Sequence, residues 1–261
     1  MTPEPAQRSD GTGVLDRVGR LLHWISSASS PHVALLLVLA VGLLPALALT
    51  LASAEVYESV TDADGVAGLD KPALELALQL RSPGVDAAVT GFTNLAGTVG
   101  MPVLAGLAVL VMCRLWRSWT PLVLTAAAAA GSLLMTVAGK ALIGRTRPDL
   151  ADAVPPYESS ASFPSGHTLN SIVIAGILAY LVILYARSRA AKVAAVTAAA
   201  AFTLAVGLSR VYLGHHWLTD VLVAWTLGAA WLAVVITAHQ LLRLLAGRRA
   251  AVQEPPQPRR P

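Results

Sequence analysis

The sequence predicts an all-α membrane protein that crosses the bilayer as a bundle of six transmembrane helices. Three observations support this fold class. Hydrophobic residues make up 55% of the 261 residues and charged residues only 13%, whereas a soluble domain carries about a quarter charged residues. The apolar residues are gathered into long blocks that short polar stretches separate. Each block approaches the roughly 20 residues that a helix needs to span a hydrocarbon core about 30 Å thick.

Six apolar blocks define the predicted spans. They lie at residues 33–53, 95–113, 120–143, 167–186, 193–212 and 218–241. In span three, the small residues of the run at 126–132 are typical of a face on which helices pack closely. We expect a cytoplasmic N-terminal tail at 1–31, one six-span domain at 32–243, and a disordered cytoplasmic C-terminal tail at 244–261.

Two shorter segments, at 14–25 and 69–80, have the apolar spacing of helices that lie in the membrane plane. A solvated linker explains each of them equally well. After span one, Ala52-x-Ala54 resembles a signal-peptidase site. The apolar run before it is longer than the core of a usual signal peptide, so we expect span one to remain as an anchor.

The charges of the loops orient the predicted bundle. The stretch after span one is mainly acidic, whereas basic residues flank the other side of the spans: Arg114, Arg117, Arg187, Arg189, Lys192, Arg243, Arg248 and Arg249. Because basic residues favour the cytoplasm, both termini are predicted to be cytoplasmic. The loops 54–94, 144–166 and 210–217 are predicted to lie on the outer face of the plasma (inner) membrane.

Composition also excludes some classes of function. The net charge is +4, but the basic residues form short clusters beside apolar blocks and not a continuous stripe, so we expect no nucleic-acid partner. The single cysteine, Cys113, excludes an intrachain disulfide and a cysteine-based metal site. The sequence does not specify an oligomeric state.

Three polar clusters lie at the predicted outer ends of the spans. They are GKALIGRTRPD at 139–149, FPSGH at 163–167 and LSRVYLGHHWLTD at 208–220. Ionisable groups beside hydrocarbon are costly, so such clusters indicate function. Together they offer cations and imidazoles that suit an anionic group, and they lack the several carboxylates of a dinuclear metal site. The candidates are Lys140, Arg147, Arg210, His167 and His216.

The first two clusters each allow two explanations. Lys140 and Arg147 share a face if the helix continues for two turns, but basic residues also extend to lipid head groups. We expect the side chain of Arg145 to extend to the lipid head groups in this way. Pro164 and Ser165 are common at helix starts, and a helix N-terminus with small residues exposes backbone N–H groups to an anion.

In the third cluster, His216 and Asp220 are four residues apart. If a helix begins at Trp217, the carboxylate can hold one ring nitrogen and leave the other as a nucleophile. A helix-start aspartate beside an interfacial histidine is the alternative explanation. His215 would point about 100° away on such a helix, so we expect it to have a packing role.

In order and spacing, the clusters resemble the signature of the type 2 phosphatidic acid phosphatase superfamily. That superfamily includes membrane lipid phosphatases, glucose-6-phosphatase and soluble vanadium haloperoxidases. The resemblance covers roughly 70–241, including the six-span layout. The matching motifs are Lys140-x6-Arg147-Pro148, Pro164-Ser165-Gly166-His167 and Ser209-Arg210-x5-His216-x3-Asp220.

The resemblance implies a role for each motif residue. His216 would attack phosphorus and form a phosphohistidine, while Asp220 would hold its imidazole. His167 would protonate the leaving oxygen and then help to activate water. The resemblance assigns no definite contact to Ser209. No metal or other cofactor is implied, and the phosphoryl oxygens would be held by Lys140, Arg147, Ser165, Gly166 and Arg210.

The resemblance also implies an amphiphilic phosphate substrate that enters sideways from the bilayer. Undecaprenyl diphosphate ranks first, because the composition, rich in alanine, arginine and glycine, is typical of a high-GC bacterium. Phosphatidic acid and phosphatidylglycerol phosphate are alternatives, and a lipid phosphotransferase stays open. Six spans argue against a vanadate-dependent peroxidase. The intact motifs argue against a lipid-binding or transport protein without chemistry.

Overall fold

The computed structural model describes residues 31–253, and its side chains from 33 to 247. Within this range the chain is built from helices, with short 3-10 turns at Gly65–Leu69, Asn94–Ala96 and Leu150–Asp152. The α-helices described there are α1 (Pro31–Asp62), α2 (Asp70–Gln79), α3 (Pro83–Thr93), α4 (Gly100–Trp116), α5 (Thr120–Ile143), α6 (Gly166–Tyr185), α7 (Arg189–Tyr212) and α8 (Leu218–Gln253).

The predicted fold class, an all-α protein with six spans, is confirmed. Among the described residues, helices α1, α5, α6, α7 and α8 are each long and apolar enough to cross a membrane. Helix α3 with its 3-10 turn and helix α4 meet the same criteria together, and they give the sixth span if this bent pair counts as one. The bend of 51° falls at the start of predicted span two, 95–113. It requires glycine at Gly100, because a Cβ there would overlap the backbone of Asn94 and Leu95.

Helix α8 extends beyond its predicted end, and one of the two predicted short segments is a helix. Helix α8 continues to Gln253, so the predicted disorder is wrong for 244–253. That stretch is rich in alanine, leucine and arginine, which favour helices, and the first proline is Pro255. The segment predicted at 69–80 is a helix, α2. Residues 1–30, with the helix predicted at 14–25, and residues 254–261 lie outside the described part of the chain.

Residues Gly42–His239 form one compact unit, and the described residues up to Val41 and from Gln240 belong to another. In the second unit, the described residues are the first part of α1 and the last part of α8. All contacts described below lie within the first unit.

The core of the larger unit depends on small residues that let large ones approach. The predicted packing face on α5 is present, since a Cβ on Gly131 would overlap the ring of Trp231. That indole N–H donates to the carbonyl of Ala128 at 3.0 Å. Around this contact, α5, α6 and α8 bury a shared apolar cluster: Leu124, Ala128, Val173, Ile177, Tyr180, Leu181 and Val235.

Three loops that were predicted to share one face meet at one end of this unit. Arg81 donates to the carbonyl of Tyr212, the last residue of α7, at 3.0 and 2.7 Å. The N–H of Val154 donates to the carbonyl of Leu213 at 2.9 Å. These contacts place the loops after α2, α5 and α7 side by side, with the polar clusters between them.

Candidate active site

His216 lies in the turn between α7 and α8. The N–H groups of His215 and His216 both donate to the carbonyl of Arg210, at 3.0 and 3.2 Å. The turn needs Gly214, because its φ is +69° and a Cβ added there would overlap the carbonyl of Asp152. His216 therefore precedes α8, and its position is fixed by backbone contacts and not by stacking on a helix.

Asp220 lies in the first turn of α8. Its Oδ2 accepts the N–H of Trp217 at 2.9 Å, the reciprocal contact with which an acidic side chain caps a helix start. The same oxygen accepts the hydroxyl of Ser162 at 2.5 Å and lies 3.5 Å from Nδ1 of His216. The helix cap thus holds the carboxylate beside the imidazole, as the predicted pairing requires.

The imidazole of His216 lies between groups of opposite charge. Its Nδ1 faces Asp220 and lies 3.4 Å from the hydroxyl of Ser162, while Nε2 lies 3.2 Å from Nη1 of Arg147. Because a guanidinium can only donate, Nε2 carries the lone pair. The residue is 1% exposed, and burial lowers its pKa to about 4 against the opposing effect of Asp220. A neutral imidazole with an unprotonated Nε2 is the result.

Two arginines converge on one carboxylate beside that nitrogen. Nη2 of Arg147 lies 2.8 Å from Oε2 of Glu158, and Nη2 of Arg210 contacts Oε1. Nδ1 of His167 is 3.9 Å from the same Oε1. Burial alone would raise the pKa of Glu158, but the charges of Arg210, His216 and Arg147 lower it to about 2. The cations therefore surround an anion that belongs to the chain.

Lys140 completes the set of cations, which we call the cradle: Lys140, Arg147 and Arg210. Its Nζ donates to the hydroxyl of Ser160 at 3.1 Å and to the carbonyl of Ala161. Arg147 donates to the carbonyl of Ser160 at 2.7 Å. Lys140 and Arg147 thus share the segment that precedes FPSGH, although α5 itself ends at Ile143.

The FPSGH segment starts α6 at Gly166, two residues later than Pro164. The hydroxyl of Ser165, predicted to bind phosphate, lies 2.9 Å from that of Thr168, and its N–H donates to the carbonyl of Asp220 at 3.3 Å. His167 lies in the first turn, close to the bend before α4, since a Cβ on Gly97 would be 3.4 Å from its Nε2. The helix start therefore directs His167 toward the cradle.

Arg145 was predicted to extend to lipid, and this prediction is wrong. Its side chain is 16% exposed and joins two buried carboxylates, Oδ1 of Asp220 at 2.6 Å and Oδ2 of Asp70 at 2.7 Å. Asp70 also accepts the N–H and the hydroxyl of Thr219, at 2.9 and 2.8 Å. We call Asp70, Arg145 and Asp220 the carboxylate network. It links α2 to the start of α8.

The sequence also gave no role to Ser162 or Glu158. Ser162 directly precedes FPSGH, which was the signal available for it, while Glu158 lies in a loop with no motif. His215 has the packing contact that was predicted, with its Nε2 2.7 Å from the carbonyl of Val154. Ser209, to which no contact was assigned, donates at 3.0 Å to the hydroxyl of Thr93, which also accepts from Nη1 of Arg210 at 3.4 Å.

An apolar groove of about 640 Å³ lies between α4, α5 and α6. It begins at Thr98, next to the glycine that contacts His167, and continues to Cys113 and Trp119. Along α4 this distance is about 20 Å at 1.5 Å per residue. The groove thus connects the neighbourhood of the histidine to the opposite end of α4. Among the residues that the structure describes, no group of three histidine, cysteine or acidic side chains is arranged to hold a metal ion.

Known proteins are similar to this chain in sequence or in structure. The profile of the PAP2 superfamily matches residues 119–243. Phosphatidylglycerophosphatase B of Bacillus subtilis (strain 168) is 33% identical over 167 residues, which are 63% of this chain and 80% of that protein. The crystal structure of a transmembrane PAP2 type phosphatidylglycerolphosphate phosphatase from Bacillus subtilis has a TM-score of 0.68 and 29% identity, over 75% of this chain and 96% of that one. The crystal structure of Aquifex aeolicus LpxE has a TM-score of 0.49 and 20% identity, over 67% and 95% of the two chains.

Proposed function

Because this chain belongs to the PAP2 superfamily and is one of its membrane phosphatases that act on lipid phosphates, we propose that it hydrolyses the terminal phosphate of a membrane lipid through a phosphohistidine. One observation carries this proposal. His216 directs its unprotonated Nε2 toward Arg147, at 3.2 Å, and its Nδ1 toward Asp220, at 3.5 Å. A nucleophile beside a group that binds anions, and a carboxylate behind it, is the arrangement that phosphoryl transfer needs.

In the first step, the substrate phosphoryl group replaces the Glu158 carboxylate between Arg147 and Arg210. Phosphoryl transfer depends mainly on positioning and on stabilising charge on the equatorial oxygens. Lys140, within the same set of hydrogen bonds, supplies a third positive charge. We propose that these three cations do the work for which other phosphatases use metal ions, so that no metal is required.

In the second step, Nε2 of His216 bonds to phosphorus while the bond to the lipid oxygen breaks. Asp220 and Ser162 keep the proton on Nδ1 and stabilise the positive charge that the ring acquires. His167 gives its proton to the leaving oxygen. It then takes a proton from the water that cleaves the phosphohistidine, which releases phosphate and restores both histidines. Acid–base help of this kind supplies about 10²–10⁴-fold in rate.

The substrate class is a lipid whose hydrocarbon chain lies in the apolar groove while its phosphate occupies the cradle. The names of the Bacillus subtilis relatives favour phosphatidylglycerol phosphate as the first substrate to test. Undecaprenyl diphosphate, which the composition favours, is the second. From the distribution of basic loops we propose that the site faces outward and that both termini are cytoplasmic.

The experiment measures phosphate release by the purified protein in detergent, with excess EDTA, from these two lipids and phosphatidic acid. We expect release from at least one of them, and we expect His216→Ala to abolish it because the nucleophile is lost. His239→Gln is the matched control, since His239 lies about 30 Å along α8 from its start. Phosphate release by His216→Ala, or loss of wild-type activity in EDTA, would contradict the proposal.

A covalent intermediate is tested separately by rapid quenching with a lipid whose terminal phosphate is radiolabelled. We expect label on the protein that survives alkali and is lost in acid, as a phosphoramidate should. The His216→Ala protein should carry no label. Turnover without any labelled protein at short times would favour direct attack by water.

A further inference from the structure

Glu158 occupies the place where a substrate phosphate would bind. Its two carboxylate oxygens are divided between Arg147 and Arg210, and one of them faces His167. Arg210 is 2% exposed, and its Nε has no hydrogen-bond partner among the described residues. The cradle therefore holds an internal anion with one negative charge, and it still has donor capacity that this carboxylate leaves unused.

The backbone around Glu158 is fixed, although its side chain has room to move. On one side, Val154 is held by Leu213 and His215. On the other, the N–H of Ser162 donates to the carbonyl of Arg145 at 2.8 Å. The Glu158 side chain is 27% exposed and borders two cavities, of about 490 and 350 Å³. A rotation of this side chain alone can therefore uncover the cradle.

A cradle of three cations at a membrane surface meets two kinds of phosphate. Most phospholipid head groups are phosphodiesters with a single negative charge, whereas a terminal phosphate carries about −1.5 to −2 at pH 7. A tethered carboxylate competes at an effective concentration of about millimolar or more. A diester brings no more charge than this carboxylate already supplies. A terminal phosphate brings nearly one charge more, and it has more oxygens for the unused donors.

We propose that Glu158 is a specificity-determining residue that excludes phosphodiester head groups from the cradle and gives way to a terminal phosphate. This inference rests on the proposed function, because it takes the cradle to be the site for lipid phosphate. It predicts that removing the carboxylate strengthens the binding of every anion by a similar factor. Anions with one charge, which bind too weakly to displace the carboxylate of the native site, should then occupy the cradle.

The test compares Glu158→Gln with the wild-type protein as the purified full chain in detergent. The first readout is the affinity for inorganic phosphate by titration calorimetry, which needs no catalysis. We expect binding to be stronger by about tenfold or more. In the wild-type protein the Glu158 carboxylate occupies the cradle nearly all the time, and the substitution removes this competitor. Glu75→Gln, which changes an exposed carboxylate on α2, should leave the affinity unchanged.

The second readout is competition between lipids. Short-chain phosphatidylglycerol, a diester, should barely inhibit hydrolysis of short-chain phosphatidic acid by the wild-type protein. It should inhibit Glu158→Gln at concentrations at least about tenfold lower, by the same argument of occupancy. Phosphate affinity that is unchanged or weaker in Glu158→Gln, or diester inhibition that is unchanged, would overturn the inference.

The failure of this inference can be told apart from the failure of the proposed function. If the protein hydrolyses no lipid phosphate but Glu158→Gln binds inorganic phosphate more tightly, only the proposed catalysis fails. If activity depends on His216 while Glu158→Gln changes neither readout, only the role of Glu158 fails. Should Glu158→Gln not fold, Glu158→Asp retracts the carboxylate by one methylene and must still raise phosphate affinity, or the inference is overturned.

Discussion

Arg145→Met is the substitution that most directly tests the carboxylate network. Methionine keeps the length of the side chain and removes the charge between Asp70 and Asp220. The two ion-pair distances are 2.7 and 2.6 Å, and the Asp220 side chain has no exposed surface. Both carboxylates would then lack their cation, and Asp220 would keep only the donors on its Oδ2, from Ser162 and Trp217.

The magnitude follows from the burial of these groups. Removing one partner of a buried ion pair costs about 3–5 kcal/mol, and the 16% exposure of Arg145 lets water replace part of the lost contact. We therefore expect the free energy of unfolding to fall by about 3 kcal/mol, the lower end of that range. Without the donor on Oδ1, Asp220 is held only through Oδ2 and positions the imidazole less precisely, and a misplacement of about 1 Å lowers kcat by about 10²-fold.

The assay is steady-state hydrolysis of a short-chain lipid phosphate together with thermal unfolding in the same detergent. Arg145→Met should lower kcat with little change in KM, because Arg145 does not contact the cradle. Arg147→Met, two residues away, is the matched comparison and should raise KM as well as lower kcat, because Arg147 binds the phosphoryl oxygens in the proposed mechanism. Arg145→Lys should recover part of kcat, since an ammonium keeps the charge but cannot bridge both carboxylates as a planar guanidinium does.

Three outcomes would count against this reasoning. If Arg145→Met unfolds at the temperature of the wild-type protein and keeps its kcat, the network neither stabilises the fold nor positions Asp220. If it raises KM as Arg147→Met does, Arg145 belongs to the cradle. Equal stability of Asp70→Asn and the wild-type protein would also count against the network, because Asp70 holds both Arg145 and the start of α8.

The remaining predictions concern pH and the groove. Burial lowers the pKa of His216 to about 4. The proposed nucleophile is therefore protonated, and kcat/KM falls, only as the pH decreases through about 4. A loss of kcat/KM centred near the ordinary histidine pKa of about 6.5 would contradict this. In the groove, a Cβ on Gly106 would meet nothing within 4 Å, so Gly106→Leu should fold and should raise KM several-fold for long-chain lipid phosphates while leaving a short-chain ester unaffected. The same rise for both substrates would show that the hydrocarbon chain does not lie there.

Much of the fold was predictable because its signals are local. A span is a continuous apolar block, and each of the three motifs lies within a stretch of about a dozen residues. The carboxylate network was not predictable in this way. Arg145 and Asp70 are 75 residues apart in sequence, as are Arg145 and Asp220, and each residue alone looks like a loop charge. Glu158 had the same difficulty, because its contact with Arg210 crosses 52 residues and no motif marks it.

The positions of Arg145 and Arg147 explain how one short segment can serve both sides of the same imidazole. Helix α5 ends at Ile143 and is followed by Gly144, which has a φ of +61°, so the two arginines leave the helix and reach different partners. One holds the carboxylate behind Nδ1 and the other faces Nε2. In the proposed mechanism, attack on phosphorus makes the ring of His216 positive, which Asp220 favours and Arg147 opposes.

That opposition ends when an anion occupies the cradle. A bound terminal phosphate neutralises Arg147 and Arg210, so the electrostatic cost of a positive imidazole is lowest when the reacting group is present. With the cradle free of any anion, the same arginines would disfavour the charged ring. The Glu158 carboxylate satisfies them without offering an atom for His216 to attack. In the proposed mechanism, nucleophilic reactivity is therefore coupled to the binding of substrate, and the internal carboxylate keeps the resting site electrostatically satisfied and unreactive.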